Sequence, residues 1–144
     1  GVEATVLFKA GPLDMAIHYT YHNAQDRQAN LIPTISPHVP GARLNLKLMG
    51  GFGINLGGYY YDRRQSLKTI KATGSQWIEE AFILNGTIHF LDWNGFDILL
   101  MINNILNAEY YHPSNLLSDR YRQPQRSITV KITKRFDFGR KERH

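Results

Sequence analysis

The chain has 144 residues, 42% of them hydrophobic and 20% charged, and carries a formal net charge of +5 at pH 7. It holds no cysteine, which excludes disulfide frameworks, thiolate metal sites, cysteine nucleophiles and redox pairs. No apolar run reaches the ~18–20 residues of a membrane helix, and the first residues show no basic-then-apolar leader pattern.

The dominant hydrophobic period is two, the period of a strand with unlike faces. Residues 2–9 set Val2, Ala4, Val6 and Phe8 against Glu3, Thr5 and Lys9. Residues 12–22 set Leu13, Met15, Ile17, Tyr19 and Tyr21 against Asp14, His18, Thr20 and His22. Residues 41–49 set Ala42, Leu44, Leu46 and Leu48 against Arg43, Asn45 and Lys47. Residues 52–64 set Phe52, Ile54, Leu56 and Tyr60 against Asn55, Tyr59, Tyr61 and Arg63. Residues 77–90 set Ile78, Phe82, Leu84, Ile88 and Phe90 against Glu79, Asn85, Thr87 and His89. Residues 96–106 set Phe96, Ile98, Leu100 and Ile102 against Asp97 and Asn103, with Leu99 and Met101 blurring the contrast. Residues 127–136 set Ile128, Val130, Ile132 and Phe136 against Ser127, Thr129, Lys131, Thr133 and Arg135, with Lys134 out of phase.

The connections alternate in length. Short ones at Ala10-Gly11, Gly50-Gly51 and Leu91–Gly95 read as hairpin turns. Long ones at 23–40, 65–76 and 107–124 hold most of the proline and much of the polar sequence. This predicts an all-β, antiparallel up-and-down meander of about seven long strands, with every short turn at one end. Residues 1–138 form one unit, and the charged, aperiodic tail 139–144 is expected to be disordered.

Two architectures satisfy this pattern. In a soluble sandwich or barrel the apolar face points inward, as in a domain that holds a small ligand or carbohydrate. In an outer-membrane barrel the apolar face meets lipid and the polar face lines a wet lumen. Four features favour the membrane. The strands run roughly 9–13 residues, close to the ~9–11 needed to cross a bilayer at a tilt. Aromatic residues collect near strand ends, as interfacial girdles do. Turns are short at one end and loops long at the other. The lack of cysteine suits a periplasmic export route.

The C-terminal half carries more specific residues. The strand from Asp97 runs into Asn104-Ile105-Leu106-Asn107-Ala108-Glu109-Tyr110, with Tyr111 following. It resembles the penultimate strand of TonB-dependent outer-membrane receptors, which ends in an Asn-Leu-Phe-Asp-x-x-Tyr-like motif. After Pro113, Gln123-Pro124-Gln125-Arg126 before the strand at Ser127 resembles that family's Pro-x-Arg lead-in to the last strand, and Arg135-Phe136 its aromatic ending. Ile35-Ser36-Pro37-His38-Val39-Pro40 before Leu44-Asn45-Leu46 is similar to the family's Pro-rich approach to another strand, and Tyr59-Tyr60-Tyr61-Asp62-Arg63-Arg64 matches in style. The resemblance covers residues 1–138. It implies part of a 22-stranded barrel in the outer membrane of a Gram-negative bacterium, whose whole form imports a scarce nutrient such as a ferric siderophore. It also implies partners: the TonB system acting through a plug domain that this chain lacks, the barrel-assembly machinery, outer-membrane lipid and a small-molecule iron chelate. The machinery would recognise a terminal aromatic, here Phe136 or Phe138. Seven strands cannot close an even-stranded barrel, so 144 residues read as about a third of one.

No cofactor is implied and no enzyme is expected, since no convergent acid, base or nucleophile set occurs. There is no His-Glu-x-x-His, Gly-x-Ser-x-Gly or P-loop. His18 and His22 share a strand face but lie about 13 Å apart, too far to chelate one metal. Glu79 and Glu80 point to opposite faces, and Gly50-Gly51-Phe52-Gly53 lacks a βαβ setting. The cations alternate along strands instead of forming one patch, which disfavours a nucleic-acid partner. On a barrel Arg43, Lys47, Arg63, Lys131 and Arg135 would line the lumen and favour anionic solutes. The family's extracellular loops bind substrate with aromatic and arginine residues, which makes Tyr110, Tyr111, His112, Arg120 and Arg122 the substrate-loop candidates.

Overall fold

The structure, a computed structural model, describes residues 1–25, 27, 28, 32, 34–114 and 119–136. Its strands are β1 (Val2–Ala10), β2 (Leu13–Tyr21), β3 (His38–Lys47), β4 (Phe52–Tyr61), β5 (Arg64–Gln65), β6 (Trp77–Ile78), β7 (Ala81–Trp93), β8 (Phe96–Asn103), β9 (Tyr111–Pro113), β10 (Arg120–Arg122) and β11 (Ser127–Lys134). The seven long strands form one antiparallel sheet in the order β1-β2-β3-β4-β7-β8-β11, while β5-β6 and β9-β10 pair as small ribbons in the long loops. Each long strand therefore pairs with the next in sequence, which is the predicted meander.

The register carries the alternation across the whole sheet. Phe8, Met15, Leu44, Leu56, Gly86, Ile102 and Ile128 are successive cross-strand partners on one face. One residue along, Lys9, Asp14, Asn45, Asn55, Thr87, Met101 and Thr129 form the matching row on the other. One face is thus apolar and the other polar, strand after strand.

The strand ends are where prediction and structure part. The third strand begins at His38, so Pro40 lies inside it, opposite Tyr19. The fourth stops at Tyr61, and the fifth is split into β6 and β7 around Glu79 and Glu80. The β7–β8 turn is tighter than expected. Asp92, Asn94 and Gly95 all take positive φ, and a register shift between Phe90 and Trp93 sets Trp93 opposite Phe96. That bulge changes the phase by one residue and brings Trp93 onto the apolar face beside Phe90. The β3–β4 turn needs glycine: Gly51 has φ 75°, and a Cβ there would lie 2.2 Å from the Leu91 carbonyl oxygen.

Among the described residues no second layer covers the apolar face. Val6, Ile17, Ile128, Val130 and Ile132 are all exposed. The total accessible surface is 10702 Å², against about 7,600 Å² for a globular monomer of this mass. Aromatics mark both rims of that face. Phe52 and Phe90 (centroids 4.7 Å apart), Trp93 and Phe96 sit at the turn end, and Tyr19, Tyr21, Tyr60 and Phe82 at the loop end. Phe52 to Tyr60 spans about 27 Å along the strand, or about 21 Å along a bilayer normal at ~40° tilt, close to the ~25 Å band of outer-membrane barrels. The buried core sits in the loops instead. Ile70, Ile78 and Ile83 are 0–1% exposed, and Ser66 and Ser114 are 1–2% exposed, in and beside the β5–β6 and β9–β10 ribbons and at the loop end of β7.

Candidate functional site

The polar side chains converge at the loop end of the polar face. Alternation at the end of β4 places Tyr59 and Tyr61 on that face, edge to face at 5.7 Å. Alternation then breaks. The Asp62 carboxylate accepts the Arg63 backbone N–H at 2.7 Å, and Arg64, not Arg63, turns towards Tyr61. The Arg64 guanidinium lies 4.7 Å over the Tyr61 ring. Its Nη2 donates to the Tyr111 carbonyl at 2.9 Å and its Nη1 to His112 Nδ1 at 3.1 Å. Arg64 is 4% exposed, its Nε has no hydrogen-bond partner, and among the described residues no carboxylate pairs with it.

The electrostatics follow from that burial. Removal from water lowers the Arg64 pKa from its usual range. His112 packs against Tyr61 at 5.4 Å and Tyr110 at 5.7 Å. Its burial first, and then the Arg64 charge, push the imidazole pKa down, which fits the acceptor role of Nδ1. Burial raises the Tyr110 phenol, with nearby tyrosines adding to it. Tyr111 is raised first by the hydrogen bond from its hydroxyl to Glu109.

The five loop candidates come together here. In the β9–β10 ribbon His112 faces Tyr121 and Tyr111 faces Arg122. The Arg120 guanidinium lies 3.8 Å over the Tyr111 ring, and Arg122 pairs with Glu109 at 3.3 Å. Tyr110 stacks on Tyr61, centroids 6.2 Å apart and planes within 13°.

The five strand cations do not converge. Arg43 and Lys131 lie mid-strand on the polar face, on β3 and β11. Lys47 pairs with Asp14 at 3.1 Å and Arg135 with Asp97 at 2.6 Å, both at the turn end. Arg63 is a correction to the alternation argument. It lies past the end of β4 and packs 5.2 Å from the Trp77 ring, in a cavity of about 200 Å³ shared with His22, Asp62 and Gln65. Phe136 is 71% exposed; Phe138 and the tail 139–144 lie outside the described residues. Among the described residues no three His, Asp or Glu side chains gather as a metal site requires.

An asparagine network supports the cluster. Asn104 and Asn107 take φ of 52° and 54°, a region asparagine tolerates better than most residues. The Asn104 amide donates to the Ala108 carbonyl at 2.8 Å and accepts the Ala108 N–H at 2.9 Å. Its backbone N–H reaches Asn85 Oδ1 at 2.8 Å, and Asn85 Nδ2 donates to the Tyr59 hydroxyl at 2.8 Å. The Asn107 side chain accepts the Arg126 N–H at 3.0 Å, just before β11. The Asn104–Tyr110 motif is therefore a hydrogen-bonded turn that ties β7, β8 and β11 together and aims Tyr110 at Tyr61. Sequence reasoning did not single out Arg64, Asn85 or Asn104 as site residues. The available signal was their proximity to the Tyr59-x-Tyr61 pair and to that motif.

No protein-family model matches the sequence, and no curated protein matches it. Solved structures do match in fold. The siderophore receptor PirA from Acinetobacter baumannii superposes with a TM-score of 0.71 at 12% identity, covering 90% of this chain and 21% of the receptor. A mutant of the ferric enterobactin receptor PfeA from Pseudomonas aeruginosa gives 0.73 at 12% identity, over 93% of this chain and 22% of that one. The ferric-catecholate import receptor Fiu from E. coli gives 0.70 at 15% identity, over 90% and 20%. The chain thus spans about a fifth of the length of the receptors it resembles, and its sheet has the fold of that part of them.

Proposed function

We propose that the chain is the C-terminal part of the β-barrel of a TonB-dependent outer-membrane receptor, whose complete form imports a ferric siderophore or a similar iron chelate. One observation carries the proposal: a seven-strand meander in unbroken register, apolar across one face between two aromatic rims, with the fold of siderophore-receptor barrels. In this arrangement Val6, Ile17, Leu100 and Val130 meet lipid and the polar face meets the lumen. The open edges of β1 and β11 pair with further strands, because unpaired backbone groups are not tolerated in lipid. The long loops lie outside the cell, so Tyr110, Tyr111, His112, Arg120 and Arg122 form part of the capture surface, and the buried Arg64 holds Tyr111 and His112 in place beneath it. Arg43 and Lys131 add positive potential along the path of an anionic chelate. The plug, and TonB acting through it, supply movement, while the barrel-assembly machinery reads the last strand with Phe136. The chain binds and guides; it performs no catalysis.

A soluble ligand-binding sandwich is disfavoured, because it needs a second layer over the apolar face and the described residues form none. The test is fractionation and uptake with the full-length protein that carries this chain. Localisation to the outer membrane, with ferric-siderophore accumulation that stops when the energy supply is uncoupled, supports the proposal. A monodisperse, detergent-free protein sinks it.

A further inference from the structure

A cavity of about 280 Å³ opens on the polar face between the ends of β4, β7, β8 and β11. It falls just below the ~300–1,000 Å³ of drug-sized sites, a size for one ring of a larger ligand. Its wall, built chiefly from Tyr59, Asn85, Asn103, Tyr110, Gln125 and Ser127, contains no group charged at neutral pH. Nearby cations are engaged elsewhere. Arg64 is held by Tyr111 and His112, Arg122 by Glu109, and Arg126 reaches the Ile105 carbonyl.

The hydrogen-bonding groups in the wall are already oriented. Asn85 uses both ends of its amide, accepting from the Asn104 N–H and donating to the Tyr59 oxygen. Tyr59 thereby acts as acceptor within the protein, and its own O–H proton is left for a ligand. Asn103 donates to Ser127 Oγ at 3.3 Å, which leaves the Asn103 carbonyl and the Ser127 proton. Tyr110 is braced from behind by Tyr61, and Gln125 stands at the cavity wall.

We infer that this cavity is a subsite for an uncharged, hydroxyl-bearing ring of the sugar or polyol class, carried by the substrate of the receptor proposed above, on which reading it rests. Tyrosine rings give such a ring a flat apolar support, and neutral amides match hydroxyls without paying for buried charge. A separate cavity at His22, Asp62, Arg63 and Trp77 has the opposite character, with both signs of charge in its wall.

The experiment titrates the purified full-length protein in detergent with maltose as the neutral probe and citrate as the anionic one. Maltose is expected to bind saturably, with affinity nearly unchanged between about 0.05 and 0.5 M salt, since no charge is screened. Tyr59→Phe keeps the ring and removes only the hydroxyl, and is expected to weaken maltose about fivefold, the worth of one neutral hydrogen bond. Gln125→Ala, at the exposed rim, is expected to weaken it about threefold. Citrate binding that fades with salt while maltose fails would overturn the inference, as would no binding of either probe or maltose binding untouched by both variants. Outer-membrane localisation and energised iron uptake are measured in the same protein, so the subsite can fail while the receptor proposal stands.

Discussion

Arg64 and His112, 48 residues apart in sequence, meet at 3.1 Å between the guanidinium Nη1 and the imidazole Nδ1. The contact exists only while His112 is neutral, because a protonated ring has no lone pair to offer. It fastens the β9–β10 ribbon to the end of β4 through a cation that pairs with no carboxylate among the described residues.

A pH dependence follows. The groups that face His112 are Arg64, Tyr61 from β4, the neighbouring Tyr110 and Tyr121 across the ribbon. Burial and the Arg64 charge lower the pKa of His112 in the folded state, so the unfolded state binds more protons in the interval below the ordinary histidine value. The contribution to stability is complete above that ordinary value and is lost as pH falls through the interval. In ring-proton NMR, His112 is expected to titrate below an ordinary histidine and to move back up in Arg64→Gln. A titration at or above the ordinary value in the unaltered protein contradicts the contact.

Asn104 closes the turn after β8 with two hydrogen bonds to Ala108, from a left-handed backbone. Asn104→Ala loses both and leaves the half-buried N–H and carbonyl of Ala108 without that partner, a loss of about 1–3 kcal/mol. Asn104→Asp keeps the acceptor and is expected to cost less. Urea midpoints in micelles would rank them; equal midpoints for alanine and wild type would show that the turn holds without the side chain.

Two histidine rings occupy the space beside cross-strand glycines. A Cβ on Gly53 would come within 2.4 Å of His89 Nε2, and one on Gly41 within 2.3 Å of His18 Nε2. Aromatic cover over a cross-strand glycine is a known way to pin register. Gly53→Ala should displace His89, break its 3.2 Å contact with Asn55 and cost about 1–3 kcal/mol. The double variant Gly53→Ala with His89→Ser should recover part of that loss in the same unfolding measurement.

The faces of β11 make opposite predictions for adjacent residues. Val130 lies on the apolar face opposite Leu100, and Lys131 on the polar face opposite Leu99. Val130→Arg is expected to cost about 2–4 kcal/mol on insertion into lipid near the bilayer centre, while Lys131→Gln should insert like wild type. Folding yields of the full-length protein into lipid vesicles test the pair; equal yields for both variants would mean that the apolar face does not meet lipid.

The amino-acid sequence by itself determined the strands, their order and their faces. A period of two persists for nine or more residues in most strands, and slipping by one residue would exchange an entire apolar row for a polar one. It also placed Tyr110, Tyr111, His112, Arg120 and Arg122 in one loop. Only tertiary structure decided which charged residues meet. Alternation stops where Asp62 captures the Arg63 N–H, so counting by twos selects Arg63 when the buried cation is Arg64. Likewise Asn85 and Asn104 read as two polar residues 19 apart, and Tyr59 as a strand aromatic. Pairing β4 with β7, and folding the turn after β8 back over them, makes them one hydrogen-bonded wall. The faces of a strand are set by local backbone geometry, which sequence displays directly; the site is set by loops closing over long sequence separations, which it does not.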